Sequence, residues 1–142
     1  MGWTFFNSNG EALIQNAESE ATQAEMEAET AVAKFVPPDL VKNSPGVAKA
    51  WCKVTGSDGA LETGSHGVSS TSRSSTGVYK IYWDPDFSGT NYVVMTSQLN
   101  VDTDHIAVQD SRDATYALLE HVNSSGTASD KNMMCVAFGE VV

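Results

Sequence analysis

From Val47 onward the sequence alternates short apolar runs with clusters of Gly, Ser, Asp and Asn, and this constrains the fold more than anything else in the chain. No helical apolar period is sustained there, so strands must sort the side chains onto two faces. Ala48, Ala50, Cys52 and Val54 alternate with Lys49, Trp51 and Lys53, the pattern of a half-buried strand. Gly56-Ser57-Asp58-Gly59 then turns the chain. The Ser- and Thr-rich residues 63–76 leave room for one weak strand. Residues 77–83 form the clearest one, aromatic and β-branched, with Tyr79, Ile81 and Trp83 on a common face. Asp84-Pro85-Asp86 breaks it. Further strands are expected at 91–98, 106–109, 115–122 and 133–138. Roughly six to eight short strands with no helix between them predict an antiparallel β-sandwich head domain over residues 47–142.

The residues before it read differently. Residues 1–16 suit a short hairpin or an extended arm: Trp3-Thr4-Phe5-Phe6 is β-prone, Asn7-Ser8-Asn9-Gly10 is turn chemistry, and Ala12-Leu13-Ile14 is apolar again. Chain ends are usually frayed and polar, so an aromatic one calls for something to bury against. That is either its own domain or another protein, and Trp3, Phe5 and Phe6 are the candidates for attachment. Residues 18–35 carry the one expected helix, with capping-box spacing from Thr22 to Glu25 and Ser19 as a rival cap. Ile14, Ala17, Ala21, Ala24, Ala28, Ala31 and Phe35 recur at steps of three and four, a heptad stripe. Alanine buries little area per turn. In a parallel homo-oligomer Glu18 and Glu25 on one flank, and Glu20 and Glu27 on the other, would face each other with no basic partner. The stripe therefore predicts a short helix, with Ala21, Ala24, Ala28 and Ala31 packing on a sheet or a neighbouring subunit, and not a long stalk. Pro37-Pro38 is expected to stop the helix. A linker then closes the arm, residues 1–46.

Charge narrows the partners. The 142 residues include 18 acidic and 8 basic side chains, a formal net charge of −10. That repels phosphate backbones, and no Lys/Arg cluster offsets it, so nucleic acid is not an expected partner. No run of residues is apolar enough to insert in a bilayer. Cys52 and Cys135 read as small buried side chains, with one bridge between the first and last strands of the domain as the alternative. His66, His105 and His121 lack metal-ligand spacing, and Asp102-Thr103-Asp104-His105 reads as an acidic turn, so neither metal nor cofactor is expected. No nucleophile elbow, P-loop or dinucleotide fingerprint occurs, and an enzyme is not expected. Tyr82, Trp83 and Tyr92 could stack on a sugar, although most aromatics of a β-domain are core or cross-strand pairs.

A resemblance goes further than composition. ATQAEMEAETAVAKFVPPDLVKNSPGVAKAW (residues 21–51) resembles a segment recurrent in tail-fibre and similar virion proteins of tailed bacteriophages. In those proteins a QAEMEA helix leads through a proline-containing linker to a PGVAKAW strand that opens a β-domain. GVYKIYWDPDFSGTNYVV (residues 77–94) is similar to the strand, turn and strand that follow there, and GWTFFNSNGEAL resembles the piece before the helix. Together these touch about half the chain in the same order. The resemblance implies a structural component of the virion, often a homotrimer, assembled in the bacterial host cytoplasm. Its N-terminus would attach to other phage structural proteins, and its β-domain would face outward. Larger relatives carry this module behind a long shaft. Here the expectation is a short stand-alone fibre, a head or neck decoration, or a tip on another fibre protein. The alternative is a receptor-recognition tip that binds host-surface glycan.

Overall fold

The computed structural model describes residues 5–6, 8–9, 12–13, 19–30, 34–98 and 105–142, with backbone alone at 5–6, 12–13 and 105–110. The chain divides into two compact units, Met1–Ser44 and Pro45–Val142.

In the first unit, β1 (Phe5–Phe6) pairs antiparallel with β2 (Ala12–Leu13), Phe5 opposite Leu13 and Phe6 opposite Ala12. The helix α1 spans only Gln23–Glu27, five residues, where residues 18–35 were expected. Its start is as read: Glu25 N–H donates to Thr22 Oγ1 at 3.3 Å, and Thr22 N–H donates to Glu25 Oε2 at 2.9 Å. Its end is not set by the prolines. Glu29 takes φ 54, and the Thr30 and Glu29 amides donate to the Glu25 and Met26 carbonyls at 2.9 and 3.3 Å. That is a Schellman stop with glutamate in the place glycine prefers. Two forces favour it. Glu27 and Glu29 crowd the negative end of the helix dipole, with no basic residue in the last turn. Lys34 Nζ reaches back to Glu25 Oε1 at 2.6 Å, while the Ala21 amide donates to the Phe35 carbonyl at 3.0 Å. The chain thus folds back beside its own entry. The Lys34 ammonium, with help from Thr22, holds the Glu25 carboxyl down at about 2. A single 3-10 turn, Val41–Asn43, follows.

The second unit is mainly β. Its strands are β3 (Ala50–Val54), β4 (Val68–Ser75), β5 (Val78–Trp83), β6 (Val93–Gln98), β7 (His105–Asp113), β8 (Tyr116–Val122) and β9 (Met133–Phe138). They form two antiparallel sheets, β3-β9-β6 and β4-β5-β8-β7, packed as a sandwich. The expected alternation is what fills the space between them. Ala50, Cys52 and Val54 of β3 and Met133, Cys135 and Ala137 of β9 meet Tyr79, Ile81 and Trp83 of β5 and Ala117 and Leu119 of β8. Phe87 and Tyr92, from the connection after β5, join this core: their rings stack at 4.3 Å, and Trp83 meets both edge-on. The Trp83 indole donates to the Tyr92 hydroxyl at 3.2 Å, and that hydroxyl donates to the Tyr116 carbonyl at 2.7 Å.

The weak strand expected within residues 63–76 is the eight-residue β4, paired along β5. Its turn needs Gly77, which has φ 69; a methyl there would meet the His121 carbonyl oxygen at 2.5 Å. The start of the domain departs from simple alternation, since Lys49, expected to face water, is buried and its amide donates to the Ala137 carbonyl at 2.9 Å. Beyond β3, the segment around Glu62 to His66 of the same chain covers that strand's free edge: Trp51 and His66 exchange backbone bonds at 2.9 Å, and Glu62 N–H donates to the Lys53 carbonyl at 2.9 Å.

One polar clasp ties three segments of the sandwich. Asp130 accepts from Arg73 Nε at 2.9 Å, Arg73 Nη2 at 2.8 Å and the Gly77 amide at 2.8 Å. The buried Tyr79 hydroxyl shares its proton between the Gly56 carbonyl at 2.6 Å and Asp130 Oδ1 at 3.0 Å. Arg73, then the Gly77 amide, hold the Asp130 carboxyl well below the usual range. Burial, then the bond to Asp130, push Tyr79 up to about 12.

Candidate functional site

Strand pleating sends alternate side chains of β3, β9 and β6 away from the core, and these form the candidate site. Register sets Trp51, Val136 and Met95 in one row across the sheet, with Lys53, Met134 and Ser97 in the next. Val93 stands opposite Phe138 in a third row. Water-facing positions of an antiparallel sheet are ordinarily polar. Here Met95 is 61% exposed, Val93 59%, Trp51 45% and Met134 38%. Lys53 is the one charged residue among these outward strand positions, and it is paired with Glu62 at 2.5 Å. The face is therefore apolar and close to neutral on a chain of net charge −10.

Trp51 is fixed in place on that face. Its indole N–H donates to the Gly64 carbonyl at 3.1 Å, and its ring stacks on His66, 4.5 Å between centroids with 24° between planes. Trp51, Thr63, Ser65, Met95, Met134 and Val136 help to line a shallow groove of about 430 Å³.

The aromatics expected to stack on sugar lie elsewhere. Trp83 and Tyr92 are 3% and 2% exposed, inside the core, so neither offers a ring face to a ligand. Tyr82 is half-buried on the outer face of the four-stranded sheet. The Lys80 ammonium lies 5.0 Å from its ring centre and 3.6 Å from that of Tyr116. The alanine stripe is not one helical face: Ala21 is buried ahead of the N-cap, while Ala24 and Ala28 are exposed. Trp3 and Ala31 lie outside the described residues, as do Asp102 to Asp104, and of Phe5 and Phe6 only the backbone is described. Among the described residues no group of three His, Cys, Asp or Glu side chains could hold a metal ion, and no helix is long and apolar enough to cross a membrane. His121 is fully buried, with Nδ1 at 3.0 Å from Ser129 Oγ.

The apolar outer face was the feature that reading for chemistry missed. A signal existed: Val93-Val94-Met95 and Met133-Met134-Cys135-Val136 are apolar at both strand parities. Such strands have two faces to cover. In comparisons with known proteins, no family model, curated protein or solved structure matches the chain.

Proposed function

We propose that the chain is a non-enzymatic structural subunit of a tailed-phage virion, a short fibre-type protein attached through its N-terminal residues and assembled as a homotrimer. The observation that carries the assembly part is the apolar outer face of β3-β9-β6, where Trp51, Val93, Met95 and Met134 stand exposed together. The phage assignment rests on the resemblance of residues 21–51 and 77–94. The occupant of the face is a second copy of the chain. Copies bearing a charge of −10 each repel at long range. They can approach closely where carboxylates are missing from the contact, and this face supplies such a place. Desolvating it against the other copies around a threefold axis removes apolar area from water on every subunit. The N-terminal aromatics Trp3, Phe5 and Phe6 remain the proposed attachment to other virion proteins.

Light scattering on the full chain tests the assembly reading. A trimer is expected, and Met95→Lys with Met134→Lys should reduce it to monomer while circular dichroism stays that of the parent. A monomeric parent at the highest soluble concentration would overturn it. So would a variant that stays trimeric.

A second reading, a glycan-binding tip, draws on Trp51 and its groove in place of Trp83 and Tyr92. A half-exposed indole held on one side by His66 can stack on a sugar ring. Saturable binding to host-cell glycan that Trp51→Ala abolishes, in a chain that stays monomeric, would favour this reading over assembly.

A further inference from the structure

The chain has two cysteines, and the fold brings them together. Cys52 of β3 stands directly opposite Cys135 of β9, and their sulfurs are 3.2 Å apart. Both are free and buried, 4% and 5% exposed, on the inward face of the sheet. Directly opposed residues of an antiparallel pair have Cα atoms roughly 4.5–5.5 Å apart, inside the span a disulfide bridges. Closure asks the sulfurs to approach by about 1 Å, within reach of side-chain torsion. A bond here would also enclose a large part of the domain, because the two positions are 83 residues apart.

We propose that Cys52 and Cys135 are a modification site, closing to a cross-strand disulfide by exchange with a small-molecule disulfide. The inference stands apart from the virion reading, since it uses only the register and geometry of the sandwich. Chemically, one cysteine thiolate attacks the small disulfide, forming a protein–small-molecule mixed disulfide and expelling one small thiolate. The second cysteine thiolate then attacks the protein sulfur of that mixed disulfide, forming the Cys52–Cys135 bond and expelling the other half. The two protein thiols lose two electrons and two protons; the small disulfide gains both and leaves as two thiols. The two thiols share one hydrogen bond in which either sulfur can donate, so either cysteine can make the first attack. Access requires β3 to open locally, releasing its bonds to β9 on one side and to Glu62 and His66 on the other.

The test uses the full chain, equilibrated folded with oxidised glutathione or with dithiothreitol, then denatured and alkylated. Mass spectrometry should find the oxidised protein two hydrogens lighter, with no thiol left to alkylate and a peptide joining Cys52 to Cys135. Its Tm should rise by roughly 10 °C over the reduced form, and dithiothreitol should reverse the rise. Cys52→Ala and Cys135→Ala should each lose that response. If either variant fails to fold, the oxidised and reduced parent chains still decide the matter. Equilibration is repeated in sub-denaturing urea to remove any barrier of access. Thiols that stay alkylatable there, glutathione adducts without the internal bond, or cross-links only between chains would each overturn the proposal.

Discussion

The two sheets of the sandwich treat their outer faces in opposite ways. On the four-stranded sheet, outward Tyr82, Tyr116 and Leu118 are all half-buried. Lys80 lays its ammonium over both tyrosine rings, and β4 brings a row of serines alongside. That face covers its own apolar groups with a long cationic side chain, whose stem packs while its head stays wet. On the three-stranded sheet, Val93, Met95 and Met134 stand exposed among the described residues of the sandwich, and Trp51, although stacked on His66, is still 45% exposed. The same fold thus supplies one face whose apolar groups are covered within the sandwich and another whose apolar groups stand open to solvent. The difference lies in a few side chains and not in the backbone, since both sheets are antiparallel and share one core.

The comparison can be broken most sharply by trading an inward residue against an outward one. Leu119→Ala, fully buried on β8, should lower unfolding free energy by about 3 kcal/mol. Met95→Ala should change the stability of the lone chain by under about 0.5 kcal/mol and act on association instead. Urea unfolding of both at low protein concentration measures this, and a comparable loss for Met95→Ala would show that the outer face is already packed. A smaller effect is expected from acid. The Asp130 carboxyl is held below its ordinary 3.8 by Arg73, the Gly77 amide and Tyr79. Its contribution is therefore full above that value and lost as pH falls below it. Thermal melts from pH 5 downward should show Tm falling for the parent, and Asp130→Asn should start lower and fall less. Equal slopes would mean the clasp does not steady the four-stranded side. Lys80→Ala should have a modest effect, about 0.5–1 kcal/mol. It should also raise binding of an apolar dye as Tyr82 and Tyr116 open, giving that face some of the character of the other.

Much of the fold was legible because alternation is a physical requirement of a sandwich. Met133–Phe138 could be read residue for residue, and Tyr79, Ile81 and Trp83 share the core face as their spacing demanded. β4 was harder, since serine and threonine carry little apolar signal; β5 supplies the partner that makes those residues a strand. β7 runs to Asp113 past a register shift between Val108 and Arg112, so its polar second half reads as a turn. The helix was overestimated because alanine and glutamate propensity is a weak force. The Glu25–Lys34 pair and the return of Phe35 to Ala21 override it. Trp83 and Tyr92 looked available to sugar because nothing local distinguishes a core aromatic from a surface one. Their burial comes from Phe87 and from the second sheet.

The pairing of residues 61–66 along the free side of β3 has a consequence for how subunits could meet. With the Trp51 and Lys53 backbone groups already bonded to His66 and Glu62, another copy cannot extend the sheet there by adding a strand. It must lie flat on the side chains. Association would then leave amide exchange along β3 almost unchanged while shifting and broadening the methyl resonances of Met95 and Met134. A partner seen by methyl groups and invisible to backbone protons would be the spectroscopic mark of a sealed edge beside an open face.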